Sequence, residues 1–224
     1  LFIKSASRNQ TPKTAQPVAV QEKLDKVNKN WLDMLKTPTF YIIFLMMFTG
    51  AFSGLMIAAN ASVIGQQMFG LTPTTAAFYV SLYSLSNCLG RVIWGTVSDK
   101  LGRNNTLYII LGVIILAFVL LLSLSSATGF AISIMILGIC FGGVMGVYPP
   151  LVMENYGPIN QGVNYGIVFC GYSVAAFFGP KIAVSIAKSN HGDFSKAFYV
   201  AIAVAVVGLI LNFVYQKTKG TAQN

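Results

Sequence analysis

Charged residues are scarce in this sequence. They make up 9% of its 224 residues, and only 6 are acidic, whereas ordinary soluble domains carry roughly 25% charged residues. Cysteine is also rare, and Cys88, Cys140 and Cys170 all lie within apolar runs. The low charge argues against a water-exposed domain, and the cysteine spacing argues against a disulfide framework or a metal site.

Catalytic side chains are equally sparse. The single histidine, His191, lies beside Asp193 in a predicted loop, and no Ser/His/Asp or metal-ligand spacing accompanies it. A glycine-rich loop for nucleotide phosphates is also missing. We therefore expect no enzyme, no cofactor and no metal.

Long apolar runs dominate the rest of the chain, which is 55% hydrophobic. A helix that crosses a bilayer needs about 20 mostly apolar residues, and six segments reach that length. They predict an all-α membrane protein with six transmembrane helices. The predicted spans run near 38–62, 74–97, 106–124, 129–151, 162–186 and 194–215.

Basic residues border these spans. The net charge is +9, and most of the 15 lysines and arginines lie near the N-terminus, around Lys100 and Arg103, or near the C-terminus. The loops on the other side carry only Lys188 and Lys196. The positive-inside rule therefore places both ends in the cytoplasm. Because the basic residues lie in segments beside the spans and not on one binding face, we expect no nucleic-acid partner.

The N-terminal segment differs from the apolar domain. Residues 5–30 are polar and lysine-rich, which is the composition of a solvated linker, and the chain opens at Leu1 without a signal peptide. We expect a piece of a longer protein whose linker joins two membrane halves. The predicted organisation is a cytoplasmic central loop over 1–36, a six-helix domain over 37–217 and a cytoplasmic tail over 218–224.

A short loop between the second and third spans carries the pattern G-x-x-S-D-K-x-G-R, from Gly95 to Arg103. This pattern resembles the signature loop of the major facilitator superfamily, although a merely basic turn would also obey the positive-inside rule. The resemblance implies the C-terminal six-helix half, a 3+3 inverted repeat, and a gating role for the loop. Glu154 is either a partner of this loop or a solvated helix end. The residues assigned to the gating motif are Gly95, Asp99, Lys100, Gly102, Arg103 and Glu154.

Arg91 lies inside the second span, where an arginine costs roughly 2.5 to 3.5 kcal/mol on insertion scales. Asn87, Ser84, Tyr83 and Trp94 recur at helical spacing around it. A guanidinium matches a carboxylate bidentately, so this face predicts a cavity that binds a small carboxylate. Alternatively, Arg91 pairs with an acid elsewhere or extends to the cytoplasmic surface.

The fourth predicted span concentrates glycine, at Gly138, Gly142, Gly143 and Gly146. Small residues allow close helix packing, and they also allow a helix to bend during a conformational change. The sequence leaves both interpretations open.

The run from Asn87 to Gly95, Tyr148-Pro149, and Asn164-Tyr165-Gly166 resemble the oxalate:formate antiporter family and the related monocarboxylate transporters. The resemblance implies that Arg91 binds the substrate carboxylate. Tyr172 stands where the oxalate carrier has a lysine, which favours a substrate with one charge. The substrate-binding residues expected from these observations are Arg91, Asn87, Tyr83, Ser84, Phe141, Met145, Phe169 and Tyr172.

The predicted function is secondary transport of a monocarboxylate, such as lactate, pyruvate or formate, by antiport or proton symport. The alternatives are oxalate/formate exchange, a superfamily transporter of another substrate class such as a drug or sugar, and a receptor or channel subunit. Lys181 is either an interfacial residue or an attractor of anions at the outer mouth. The expected partners are the carboxylate, the lipid bilayer of the plasma membrane and the N-terminal six-helix half.

Overall fold

A computed structural model describes residues 28–221, and this part of the chain is entirely helical. It contains a short helix followed by six long ones. The helices are α1 (Trp31–Leu35), α2 (Pro38–Phe69), α3 (Pro73–Leu101), α4 (Arg103–Ser123), α5 (Ala127–Tyr156), α6 (Gln161–Ser189) and α7 (Ser195–Thr221).

The helix ends follow local sequence signals. Pro38 and Pro73 open α2 and α3 at positions where the missing N–H costs nothing, and the Ser126 hydroxyl accepts the Gly129 N–H at 3.0 Å to cap α5. Gly70 ends α2 with φ of 63°, and Gly102 ends α3 with φ of 82°. Both glycines occupy backbone conformations that other residues rarely adopt.

Five of the long helices, α2 and α4 to α7, are long and apolar enough to cross a membrane. The sixth, α3, has 29 residues but carries serines, Asn87 and Arg91, which lower its mean hydropathy. The prediction of an all-α membrane protein is confirmed. Several helices extend beyond their predicted spans; α2 continues to Phe69, for example, because a helix can proceed past the apolar stretch that hydropathy detects.

The helices form one bundle in which α3 packs mainly on α5, and α2 packs mainly on α6. Helix α5 also contacts α2 and α4, and α7 closes the bundle against α2 and α4. The core is aromatic and aliphatic. Its largest fully buried side chains include Phe52, Phe118, Phe130, Tyr148 and Phe198.

The end of the predicted linker is attached to this bundle. The Lys29 N–H donates to the Tyr156 carbonyl at 3.0 Å, and the buried Asn164 amide donates to the Lys29 carbonyl at 3.0 Å. Residues 28 and 29 therefore pack on the connection between α5 and α6. Residues 1–27 of the predicted loop, and 222–224 of the predicted tail, lie outside the described residues, and α7 continues into the tail as far as Thr221.

Candidate functional site

The helix that carries Arg91 lies directly against the backbone of α5. A Cβ at Gly142 would collide with the Asn87 carbonyl oxygen and lie 2.9 Å from the Arg91 nitrogen, and one at Gly146 would lie 2.7 Å from the Arg91 carbonyl oxygen. Such contacts between backbones are possible only where the facing residue has no side chain. The glycines of α5 therefore hold the Arg91 turn at a defined position, which favours close packing over bending.

Arg91 itself is exposed and keeps most of its hydrogen-bonding capacity. Its Nη2 lies 3.4 Å from the Asn87 Oδ1, a long hydrogen bond, and within residues 28–218 no carboxylate pairs with it. The Nδ2 of Asn87 is buried and has no hydrogen-bond partner in the same region. Since buried polar groups are normally satisfied, the guanidinium keeps free donors and lies beside an amide whose hydrogen bonding is incomplete.

An aromatic ladder lines the neighbouring surface of α5 and α6. We define it as Tyr165, Phe169, Tyr172 and Phe141. The ring centroids of Phe169 and Tyr172 are 4.5 Å apart with an interplanar angle of 12°, and those of Tyr172 and Phe141 are 6.2 Å apart at 11°. Tyr165 continues the ladder, with its ring 5.5 Å from that of Phe169. The ladder offers stacked apolar surface with tyrosine hydroxyls at two positions.

Arg91 and the aromatic ladder belong to one neighbourhood. The Arg91 charge lies within electrostatic range of Tyr165, although the two residues are on different helices. Met145 lies one turn from Phe141 on α5 and packs against the core. The fold therefore places Arg91 on α3 within electrostatic range of the end of the ladder that Tyr165 forms on α6.

Two predicted site residues, Tyr83 and Ser84, donate their hydroxyl groups to backbone carbonyls. Tyr83 is 4% exposed, and its hydroxyl donates to the Gly54 carbonyl on α2 at 2.7 Å. The Ser84 hydroxyl donates to the Val80 carbonyl of its own helix at 3.0 Å. Tyr83 thus ties α3 to α2, and Ser84 satisfies local backbone.

The motif that was predicted as a loop lies mostly in helices, because α3 continues to Leu101, Gly102 alone forms the turn, and α4 begins at Arg103. The motif forms an ionic cluster around Arg103. Its Nη1 lies 2.7 Å from the Asp99 Oδ1, its Nε donates to the Glu154 Oε1 at 3.0 Å, and Nη1 also contacts the buried Ser98 hydroxyl. The Arg103 side chain is only 14% exposed. We call Ser98, Asp99, Arg103 and Glu154 the arginine latch. It joins the turn between α3 and α4 to the end of α5, with Glu154 as the partner.

Three other residues of the motif stand outside the latch. Lys100 is exposed, and the structure pairs Glu154 with Arg103 rather than with Lys100. A Cβ at Gly95 would meet no atom within 4 Å, so no close approach within the described bundle requires glycine there. Gly102, in contrast, has the positive φ that the turn needs.

Sequence reasoning assigned no site role to Tyr165. It precedes Phe169 and Tyr172 by four and seven positions, which is the spacing of one helix face, and this pattern was the available signal. The spacing of Gly138, Gly142 and Gly146 by four residues likewise marks a surface for close helix packing.

A bundle of span-length helices with an unpaired arginine beside an aromatic surface is typical of a membrane carrier. The family model described as the Major Facilitator Superfamily matches residues 2–180. The chain belongs to this superfamily and is a multi-pass membrane protein. The matched relatives of this family are transporters, not enzymes, which confirms the prediction on this point.

Several curated relatives agree with this placement. The chain is 31% identical over 146 residues to the uncharacterised major facilitator transporter YhjX of Escherichia coli (strain K12), covering 64% of this chain and 36% of the relative. It is 28% identical to the oxalate:formate antiporter of Oxalobacter formigenes, covering 80% of this chain and 43% of that protein. It is 32% identical to apicoplast pyruvate carrier 1 of Toxoplasma gondii, covering 49% of this chain and 20% of that protein. The chain thus spans less than half the length of these relatives.

Proposed function

We propose that this chain is the C-terminal half of a secondary transporter that moves a small monocarboxylate across the plasma membrane. The observation that carries the proposal is the Arg91 guanidinium, exposed beside the aromatic ladder and paired with no carboxylate in the described part of the chain. A cation left in this state inside a membrane domain normally serves a ligand or a pathway.

The chemistry around Arg91 fits an organic acid. The guanidinium can donate two parallel hydrogen bonds to a carboxylate. The rings of Phe141, Phe169 and Tyr172 would then pack against a short apolar body. Lactate and pyruvate meet both requirements, and formate meets the first.

The number of charges in this neighbourhood favours one carboxylate over two. Tyr172 occupies the place in the ladder where the resemblance to the oxalate carrier would put a lysine, and Arg91 is the cation whose charge reaches the ladder at Tyr165. A dianion such as oxalate would keep one charge uncompensated. Oxalate/formate exchange remains the second candidate, because one relative bears that name at 28% identity.

Alternating access would supply the mechanism, as antiport or proton symport. In this scheme an N-terminal six-helix half covers the face that bears Arg91, and the two halves rock about the bound anion. The arginine latch would hold the cytoplasmic ends of α3, α4 and α5 together in one of the states. Both ends of this chain would be cytoplasmic, as the distribution of basic residues indicates.

The test is competition for uptake into proteoliposomes that contain the full-length protein. Lactate, pyruvate, formate and oxalate would each be offered against labelled lactate, with lactamide as the matched uncharged control. We expect the monocarboxylates to compete, oxalate to compete weakly and lactamide not to compete. Equal competition by lactamide, or no uptake of any of these acids, would contradict the proposal.

A further inference from the structure

A cavity lies between α2, α6 and the connection from α6 to α7, away from Arg91. Its volume is about 570 Å³, within the range of small-molecule sites. At about 1.5 Å per residue, Lys188 at this cavity lies about 24 Å along α6 from Tyr172. The cavity is therefore separate from the central site. It is lined by Asn60, Val63, Gln67, Val184, Ala187, Lys188, His191, Gly192 and Phe194. We call it the outer pocket, after its predicted side of the membrane.

The lining of the outer pocket has two chemical parts. Lys188 and His191 stand beside the amides of Asn60 and Gln67, and the remaining wall is mostly aliphatic or aromatic, including Phe194. The residues that line it include no aspartate or glutamate. A cationic and amide region beside an apolar wall suits a ligand with an anionic head and a short apolar body.

The backbone holds this lining in place. His191 has φ of 53°, an uncommon conformation for a residue other than glycine, and Gly192 follows with φ of 91°. The Gly192 N–H donates to the Ala187 carbonyl at 2.8 Å, so the connection folds back over the end of α6. A Cβ at Gly192 would lie 3.1 Å from the Gln67 Oε1, so the connection also packs against α2.

The other charged groups of this connection are engaged with each other and with polar neighbours. The Asp193 carboxylate accepts the Ser195 hydroxyl at 2.7 Å and the Ser195 N–H at 2.8 Å, and these bonds, together with the charge of Lys196, hold the Asp193 pKa below its usual value. Lys196 donates to the Asn190 Oδ1 at 2.8 Å. The side chains of Lys188 and His191 have no hydrogen bond or ion pair with any described residue.

We propose that the outer pocket is a second binding site for a small organic carboxylate, with Lys188 and His191 at the carboxylate and Val63, Val184 and Phe194 along its body. The preference for an anion follows from the lining. The choice of a small carboxylate rests on the proposed function. A substrate held here would be concentrated at one end of the transport path before it reaches Arg91.

The experiment measures binding of labelled lactate to the full-length protein in nanodiscs of neutral phosphatidylcholine. Arg91→Gln removes the site at Arg91, and we expect residual binding of lactate at the outer pocket. Adding Lys188→Gln should weaken this residual binding about tenfold, which corresponds to the loss of one charge-assisted hydrogen bond. His191→Gln should weaken it less. Lys196→Gln is the matched control, since it removes the same charge from the start of α7, outside the pocket, and it should leave residual binding unchanged.

The outcomes separate this proposal from the proposed function. If Arg91→Gln keeps full affinity, Arg91 is not the central ligand, and the outer pocket is still judged by the effect of Lys188→Gln. If Arg91→Gln does not fold, Lys188→Gln alone should raise the KM for lactate uptake about threefold to tenfold with kcat retained. The outer-pocket proposal is overturned if Lys188→Gln and Lys196→Gln act alike, if no residual binding exists, or if phosphatidylglycerol displaces the lactate.

Discussion

Arg91 lies in the second half of α3 and Arg103 begins α4, yet the surroundings of the two guanidiniums differ. Arg103 is 14% exposed and engages the carboxylates of Asp99 and Glu154 at 2.7 and 3.0 Å. Arg91 is exposed and has only the Asn87 oxygen, at 3.4 Å. One arginine is neutralised by its own chain, and the other keeps its donors.

This difference distinguishes a structural cation from one that serves a ligand. An arginine that only stabilises a fold would be expected to find carboxylates as Arg103 does, because an unpaired charge in a membrane domain is costly. The glycines of α5 allow α3 to approach closely at the Arg91 turn, so the fold holds this unpaired charge at a fixed place beside the aromatic ladder.

The largest effect is expected from Arg91→Lys. An ammonium cannot reproduce the planar pair of donors, so lactate uptake should fall about 100-fold, equivalent to about 3 kcal/mol. Initial uptake rates in proteoliposomes measure this. Lys196→Gln, at the start of α7, serves as the control and should retain uptake within about threefold. Equal rates for Arg91→Lys and wild type would remove Arg91 from the site.

Gly142→Leu should disrupt the packing of α5 against the backbone of α3 at Arg91, while the Arg91 side chain itself stays unchanged. The added atoms would collide with the Asn87 carbonyl, and overpacking of this kind costs about 1 to 3 kcal/mol. We expect a lower melting temperature in detergent and reduced uptake. Gly112→Leu is the matched control, since a Cβ there meets nothing within 4 Å. If both variants melt alike, the close packing of α3 on α5 has no special importance.

Tyr172→Lys should change the substrate preference. A second cation beside the stacked rings of Phe141 and Phe169 would pair with the second charge of a dianion. The ratio of oxalate uptake to lactate uptake should rise about tenfold, the value of one charge-assisted contact. Tyr172→Gln, which adds no charge, should leave this ratio near that of the wild type. A rise with both variants would show that the charge is not the cause.

The smallest effect is expected in the arginine latch. Glu154 is 42% exposed, so solvent weakens its pairing with Arg103. A double-mutant cycle of Arg103→Gln and Glu154→Gln, read from thermal melting, should give a coupling of about 0.5 to 1 kcal/mol. The same cycle with Lys100→Gln in place of Arg103→Gln should give none. Coupling to Lys100 of equal size would show that the latch has more than one arrangement.

The fold was largely predictable because a bilayer imposes a simple requirement. Each apolar run had to become a helix, and the first predicted span begins at Pro38, where α2 begins. The docking of residues 28 and 29 could not be foreseen. It depends on isolated polar contacts, such as that from Asn164 to the Lys29 carbonyl, which leave no periodic pattern in the sequence.

The candidate site was predictable in part. Arg91 was identifiable because a charge in a span is rare, and the rings of Phe141, Phe169 and Tyr172 do come together. Tyr83 shows the limit of spacing arguments. At about 100° per residue it lies about 80° from Arg91 around the helix, far enough for its hydroxyl to turn toward Gly54 instead of sharing the open face.

Equilibrium binding of lactate to the purified full-length protein tests the contrast between the two arginines most directly. Arg91→Gln and Arg103→Gln remove the same group, the same charge and nearly the same volume. Our account predicts that Arg91→Gln weakens binding about 100-fold and that Arg103→Gln weakens it about tenfold or less. A carboxylate ligand needs the first guanidinium and not the second. Similar losses in both variants, or unchanged binding by Arg91→Gln, would contradict it.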